Sequence, residues 1–290
     1  MLQQKQIAVI GGDQRYVHMM ECLANERAKV FAAGFTNIDF NNCFIEKCSV
    51  DTIPFDKLNA VILPVHGMSE TFTVDQYFPP NKITLTKKML ARIPENSIIF
   101  SGTANDHLRQ LCMDINRKLI VLYELEHVAI LNALPTAEAT LQLAMQHTER
   151  MIHGQLVLIT GFGRVAQATA QLFQAVGANV HIAARKQTDL TTAKIRSMNP
   201  VSLKNLAEIV TTTNICINTV PHLTFTANLI RQMDQDTVII DIASAPGGTD
   251  FLAAKEHGIK AIHALGLPGK TAPITAGEII SEPIIKMLLE

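Results

Sequence analysis

Gly161, Gly163 and Ala166 stand at G-x-G-x-x-A spacing, directly after the apolar, β-branched run Leu156–Thr160. That pattern suits a diphosphate. Gly161 permits a tight turn off a strand, Gly163 lets phosphate oxygens approach the main chain, and Ala166 lets the following helix pack close to the sheet. The N–H groups of the first helical turn, with the positive end of the helix dipole, then bind the anion. The turn Gly161-Phe162-Gly163-Arg164-Val165 is therefore a candidate cofactor site. The next apolar run, Val180–Ala184, ends in Arg185 and Lys186, with no acid before Asp189. NAD-specific sites carry Asp or Glu there to hold the ribose 2′-OH. A carboxylate would repel a 2′-phosphate, whereas Arg185 can hold one bidentately. A charge-assisted hydrogen bond contributes roughly 1.5–3 kcal/mol, which corresponds to a roughly tenfold to hundredfold preference for NADP(H). The plainer alternatives are a phosphate-free α/β turn and a solvated basic loop.

Other polar residues close apolar runs further along. Ile215–Pro221 ends in Asn218, Thr219 and Pro221; Val238–Asp250 carries Asp241 and Ser244; a loop follows at Gly266–Gly269. In an open parallel sheet, ligands collect beyond the carboxyl ends of the strands. Asn218, Thr219, Pro221, Asp241 and Ser244 are thus cofactor candidates, each with a turn or cap role as its alternative. Near the start, Gly11-Gly12 resembles a truncated fingerprint. Tyr16 is too large for its third small position, so no second dinucleotide is expected there. The turn is still a candidate phosphate or carboxylate cradle, with Arg15 beside it.

These residues need a scaffold. Strands are expected at Gln6–Ile10, Lys29–Ala33, Ala60–Pro64, Ser97–Phe100 and Leu119–Leu122, alternating with helices such as 105–116. This predicts a flavodoxin-like first domain over residues 1–133. Pro135 marks a break, Thr136 a helix N-cap, and a long interdomain helix runs to about His153. Residues 134–290 then form an NAD(P)-binding Rossmann domain, closed by an apolar helix from Thr275 to Leu289. Both domains are doubly wound parallel α/β sheets. The net charge of −1 and the absence of basic clusters argue against nucleic acid. No apolar run has the length of a membrane span, and the polar start is no signal peptide. An odd, scattered set of five cysteines implies a reducing compartment without structural disulfides, and none stands at zinc-ligand spacing. Apolar stripes on the helices starting at Thr136 and Thr275 are candidate homo-oligomer contacts or, equally, faces that line the core.

The segments Ile7–Asp13, Ile99–Gly102, Pro135–Thr140, Gly161–Arg164, Ile215–Pro221, Asp241–Phe251 and Gly266–Gly277 resemble, in order and over essentially the whole chain, the dipicolinate synthase A-subunit family of spore-forming bacteria. The resemblance implies a fold similar to formate and D-2-hydroxyacid dehydrogenases. It implies NADP-dependent oxidation of dihydrodipicolinate to dipicolinate, beside a flavoprotein-like B-subunit of dipicolinate synthase, in the mother-cell cytoplasm during sporulation. Such a substrate is a small dicarboxylate. Arg15, Ser101, Gly102 and Thr103 at first-domain turns, with Ser244 and the Gly247-Gly248 main chain opposite, are then its candidate contacts. A general base is not evident; His222 and His263 are the candidates. Two other functions stay open. One is a D-2-hydroxyacid-type dehydrogenase, against which the lack of a recognisable Arg and His–Glu pair counts. The other is a non-catalytic NADP(H)-binding partner protein.

Overall fold

The structure, a computed structural model, describes residues 1–290. The chain runs β1 (Gln6–Ile10), α1 (Gln14–Asn25), β2 (Lys29–Ala33), β3 (Ile45–Cys48), β4 (Ala60–Ile62), β5 (Thr73–Tyr77), β6 (Pro80–Thr84), α2 (Lys87–Ala91), β7 (Ile98–Ser101), α3 (Asp106–Asp114), β8 (Lys118–Val121) and α4 (Glu126–His147). It continues through β9 (Leu156–Thr160), α5 (Arg164–Ala175), β10 (Asn179–Ala184), α6 (Gln187–Ile195), β11 (Asn199–Ser202), α7 (Leu206–Ile209), β12 (Ile215–Asn218), α8 (Ala227–Ile230), β13 (Val238–Asp241), α9 (Phe251–Glu256), β14 (Lys260–His263), α10 (Leu267–Thr271) and α11 (Pro273–Leu289). Two compact units result: Met1–Asn132 together with Pro268–Glu290, and Ala133–Leu267.

The first unit holds a parallel sheet of order β3-β2-β1-β4-β7-β8. Successive side chains alternate between its faces. Ile7, Val9, Val30, Ala32 and Ile62 pack with Met20 and Leu23 of α1 and with Ile280 and Ile284 of α11. Ala8, Ile10, Phe31, Val61 and Ile99 face Leu90 of α2 and Leu108 and Leu111 of α3. The five strands expected from the sequence lie in the order 2-1-3-4-5, which is flavodoxin-like. A sixth, Ile45–Cys48, extends the edge; its residues are half-buried or exposed, so no apolar run announces it. A separate antiparallel hairpin, β5–β6, is equally polar and equally unannounced.

The second unit repeats the doubly wound plan, with order β11-β10-β9-β12-β13-β14, all parallel. Val157, Ile159, Ile182, Ile217 and Ile240 pack on one face with Ala166, Ala170 and Phe173 of α5. Leu158, Ala183, Cys216 and Ile239 pack on the other with α7 to α9. Because the central strands β9, β10, β12 and β13 are covered on both sides, they read as near-continuous apolar runs.

Two boundary expectations are corrected. Pro135 does not break the chain; it lies inside α4. A proline there forfeits one main-chain hydrogen bond, yet Ala133, Ala137 and Ala139 around it are buried helix formers. Thr136 is accordingly no N-cap: its carbonyl accepts the Thr140 hydroxyl at 2.7 Å, one turn on. Residues 134–290 are also not one domain, since α11 belongs to the first unit. The reason is tight packing on α1, where a Cβ at Gly277 would lie 2.6 Å from the Arg15 carbonyl oxygen. No helix is long and apolar enough to cross a membrane.

Candidate functional site

The site in the second unit begins at the turn between β9 and α5. Gly161 has φ +92°, and a Cβ there would sit 2.5 Å from the Thr219 hydroxyl, so only glycine fits. Its N–H donates to the Ala183 carbonyl of β10 at 2.8 Å. Gly163 is the N-cap of α5 and supplies no side-chain cap. A Cβ at Gly163 would meet no atom within 4 Å. The first N–H groups of a helix have no intrahelical acceptor, so this open, capless start suits an anion of phosphate size. Gln167 steadies the turn by donating to the Phe162 carbonyl at 2.9 Å, while Arg196 donates to Gln167 at 2.7 Å and lies over the Phe162 ring. Ala166 is fully buried against the sheet, as its place in the fingerprint requires. Arg185 follows β10 directly, on the strand hydrogen-bonded to β9, and is exposed and unpaired. The residues of this edge therefore fit a dinucleotide.

Asn218 and Asp241 turn out differently from the sequence expectation. Both are fully buried. Asn218 accepts from the Thr160 hydroxyl at 2.7 Å and from Val220 N–H at 3.2 Å, and donates to the Val220 carbonyl and to Asp241, each at 2.9 Å. Asp241 accepts from Ala243 N–H at 3.1 Å, and from Gly248 N–H and the Thr249 hydroxyl at 2.8 Å each. With every polar atom spent inside the protein, neither touches a ligand directly. Thr219 also donates its hydroxyl inward, to the Thr160 carbonyl at 2.7 Å. Pro221 and Ser244 are exposed on the loops that follow β12 and β13. His222 is exposed, with Nδ1 3.2 Å from its neighbour's carbonyl oxygen. His263 is exposed at the end of β14, its ring beside Phe251 at 5.2 Å between centroids. Neither histidine has an acidic partner. Sequence reasoning does not single out Thr160 and Thr249, and it offers the Gly248 main chain to a substrate, whereas its N–H is spent on Asp241.

Arg15, Ser101 and Gly102 of the first unit are turned inward rather than toward a substrate. Arg15 is 2% exposed. It grips Asp13 through Nε and Nη2, both at 2.9 Å, and donates from Nη1 to the Tyr123 hydroxyl at 2.7 Å. Burial opposes its charge, but Tyr123 and Asp13 outweigh that and hold the guanidinium above its ordinary value. Burial likewise pushes the Tyr123 phenol up, against the pull of Arg15. Ser101 is fully buried and donates to the Thr103 carbonyl at 2.6 Å. Gly102 is pressed against the main chain of Val65, 2.6 Å from where a Cβ would be. All three are structural.

Nor is Gly11-Gly12 an anion cradle. The hairpin lies over it: Gly12 N–H donates to the Asp75 carbonyl at 3.0 Å, and a Cβ at Gly11 would overlap that same oxygen. The N-cap of α1 is Asp13, whose carboxylate accepts from Arg15 N–H, so this helix start already holds an anion of its own. The Tyr16 ring fills the space beside Gly12, 2.5 Å from a Cβ position.

Comparison with known proteins agrees with this geometry. Residues 6–123 match the N-terminal domain of the dipicolinate synthase A-subunit, and residues 128–246 match the NAD-binding domain of D-isomer specific 2-hydroxyacid dehydrogenases. The dipicolinate synthase A-subunit of Bacillus subtilis (strain 168) is 39% identical over 290 residues, 100% of this chain and 98% of that one. The crystal structure of the dipicolinate synthase A-subunit from Bacillus halodurans has a TM-score of 0.93 at 38% identity, covering 100% of this chain and 99% of its own. A transhydrogenase from Sinorhizobium meliloti, 10% identical with a TM-score of 0.68 over 97% of this chain and 93% of its own, shares the fold. The second unit is thus a nicotinamide-dinucleotide domain of oxidoreductase type. By identity over its full length, the chain belongs to the dipicolinate synthase A-subunit family.

Proposed function

We propose that the chain catalyses the NADP-dependent oxidation of dihydrodipicolinate to dipicolinate, working with a dipicolinate synthase B-subunit in the mother-cell cytoplasm of a sporulating bacterium. The family supports the substrate and the partner, since the relatives bear the name of one subunit of a dipicolinate synthase. The observation that carries the cofactor half is Arg185, exposed at the end of β10 where an NAD site would have a carboxylate. The main-chain N–H groups at the start of α5 hold the diphosphate, and Arg185 holds the 2′-phosphate.

Bound NADP⁺ supplies the hydride acceptor. The dihydro ring loses one hydride and one proton and becomes aromatic, so the protein's task is orientation more than activation. Ser244, on the loop after β13, offers an exposed hydroxyl to a substrate carboxylate. His263 and His222 are the candidate acceptors of the ring proton. Each is tested by its Ala variant; full turnover in the reconstituted two-subunit enzyme removes that residue.

The deciding experiment is dipicolinate formation, followed by its ultraviolet absorbance, from fresh dihydrodipicolinate with NADP⁺ or NAD⁺. It is run with the chain alone and with the B-subunit. NADP⁺-dependent product is the expected result. No product above the uncatalysed background, even with the B-subunit, overturns the assignment.

A further inference from the structure

At the carboxyl end of the second sheet, three strands finish in polar side chains that bond only to one another and to the loops beyond. Thr160 closes β9, Asn218 closes β12 and Asp241 closes β13; Asn218 and Asp241 are register partners. The Asp241 carboxylate accepts four hydrogen bonds and donates none, and all four donors are uncharged. One comes from the end of β12 through Asn218. Three come from the loop after β13, at Ala243, Gly248 and Thr249.

The two loops are also locked sterically. A Cβ at Gly248 would lie 2.5 Å from Asn218 Nδ2 and from the His222 carbonyl oxygen, and 2.6 Å from that of Val220. The Gly248 carbonyl in turn accepts from Thr224 and Phe225 N–H, at 2.8 and 2.9 Å. At Gly247, with φ +83°, a Cβ would be 3.2 Å from Asp241 Oδ2 and 3.3 Å from His263 Nε2. Pro221, His222 and Ser244 are thus exposed groups carried on main chain that Asp241 ties down, and the exposed His263 ring lies beside Gly247.

The strand order gives this arrangement a direction. In a doubly wound sheet the diphosphate lies at the first strand-to-helix turn and the adenosine ribose at the neighbouring strand. Here those are the β9–α5 turn and the end of β10 with Arg185. The other half of a dinucleotide must then run the opposite way, over the ends of β12 and β13. We infer that Asp241, through Asn218, Gly248 and Thr249, is a positioning residue that shapes the nicotinamide end of the site, leaving the phosphoadenosine end to Gly163 and Arg185. This rests on the NADP reading above. It makes Asp241 a determinant of how the reacting ring is held without touching it.

The test separates the two ends by ligand. Affinities for NADPH and for 2′-phospho-ADP-ribose, which lacks nicotinamide, are measured by calorimetry on the full chain and on Asp241→Asn, Thr249→Val and Thr249→Ser. Asn at 241 turns an amide N–H₂ toward two of the four donors, whichever oxygen it replaces. For Asp241→Asn, NADPH affinity is expected to fall about tenfold or more while the fragment stays within about twofold. Thr249→Val, which removes one donor and is mild enough to fold, shows the same split in smaller measure, and Thr249→Ser restores it. Equal affinities throughout, or equal losses for both ligands, overturn the inference. If the unaltered chain binds neither ligand, the NADP reading itself fails and takes the inference with it; if it binds both and the variants do not discriminate, only the positioning role fails.

Discussion

Two turns of the same kind, Gly11-Gly12 before α1 and Gly161–Gly163 before α5, stand at equivalent places in two parallel sheets of matching order. In both, a first glycine with positive φ leads off a buried strand. They part in what covers the helix start. Over the first turn lie a hairpin carbonyl and a tyrosine ring, and Asp13 caps the helix with its own carboxylate. Over the second there is no side-chain cap and no atom within 4 Å of a Cβ on Gly163. A glycine turn therefore binds phosphate only where the protein leaves the helix dipole and N–H groups unanswered. The first turn has become structure, and the second is left open to an anion.

The comparison can be broken most sharply by moving the closing device. Gly163→Asp places on α5 the carboxylate cap that α1 already has. NADPH affinity is expected to fall at least about hundredfold, because a fixed anion occupies the phosphate's place. Stability is expected to rise by up to about 1 kcal/mol from the new cap. Calorimetry and thermal unfolding read the two effects; an unchanged affinity would mean that the α5 start is not the anion site. The converse change, Gly11→Ala, forces a left-handed residue and a Cβ into the Asp75 carbonyl. It is expected to destabilise the fold by about 2–4 kcal/mol in chemical denaturation, while cofactor affinity holds.

Arg185→Ala sharpens the comparison further along the open site. It is expected to reduce the preference for NADP over NAD by about tenfold to hundredfold, the value of one charge-assisted contact. Competitive binding of the two cofactors measures it, and a preserved preference would place the 2′-phosphate elsewhere. The smallest effect belongs to the closed side. Tyr123→Phe removes one hydrogen bond from Arg15 and should lower stability by about 1–2 kcal/mol without altering cofactor affinity. A loss of affinity there would show that the Arg15 cluster reaches the site.

What can be read from the chain follows the range of each interaction. The β9–α5–β10 unit and Arg185 are legible because glycines, strand and helix are contiguous and Arg185 sits at a fixed offset. The fate of Gly11-Gly12 is not, because the covering carbonyl comes from Asp75, in a hairpin whose strands alternate weakly and bury one residue, Val74. Edge strand β3 escapes for the same want of an apolar run. Asn218 and Asp241 stand out by position, at strand ends, but residue type alone does not say whether they face a ligand or one another. Arg15 and Ser101 stand out in the same way and are instead tied into the interior of their unit. Pro135 misleads because tertiary burial of its neighbours overrides a local breaker.

Helix α11 carries a consequence for how this protein comes into being. A chain leaves the ribosome from its amino end, and domains generally fold as units in that order. Here the second unit is an unbroken stretch of chain, whereas the first lacks part of one covering layer until residues 273–289 have been made. The part begun first is thus expected to be finished last. Truncation just before Pro273 should leave a domain that still binds nucleotide attached to a sheet with one apolar face only partly covered, by α1. Quality control that senses such a face would then be reading whether residues 273–289 had been made.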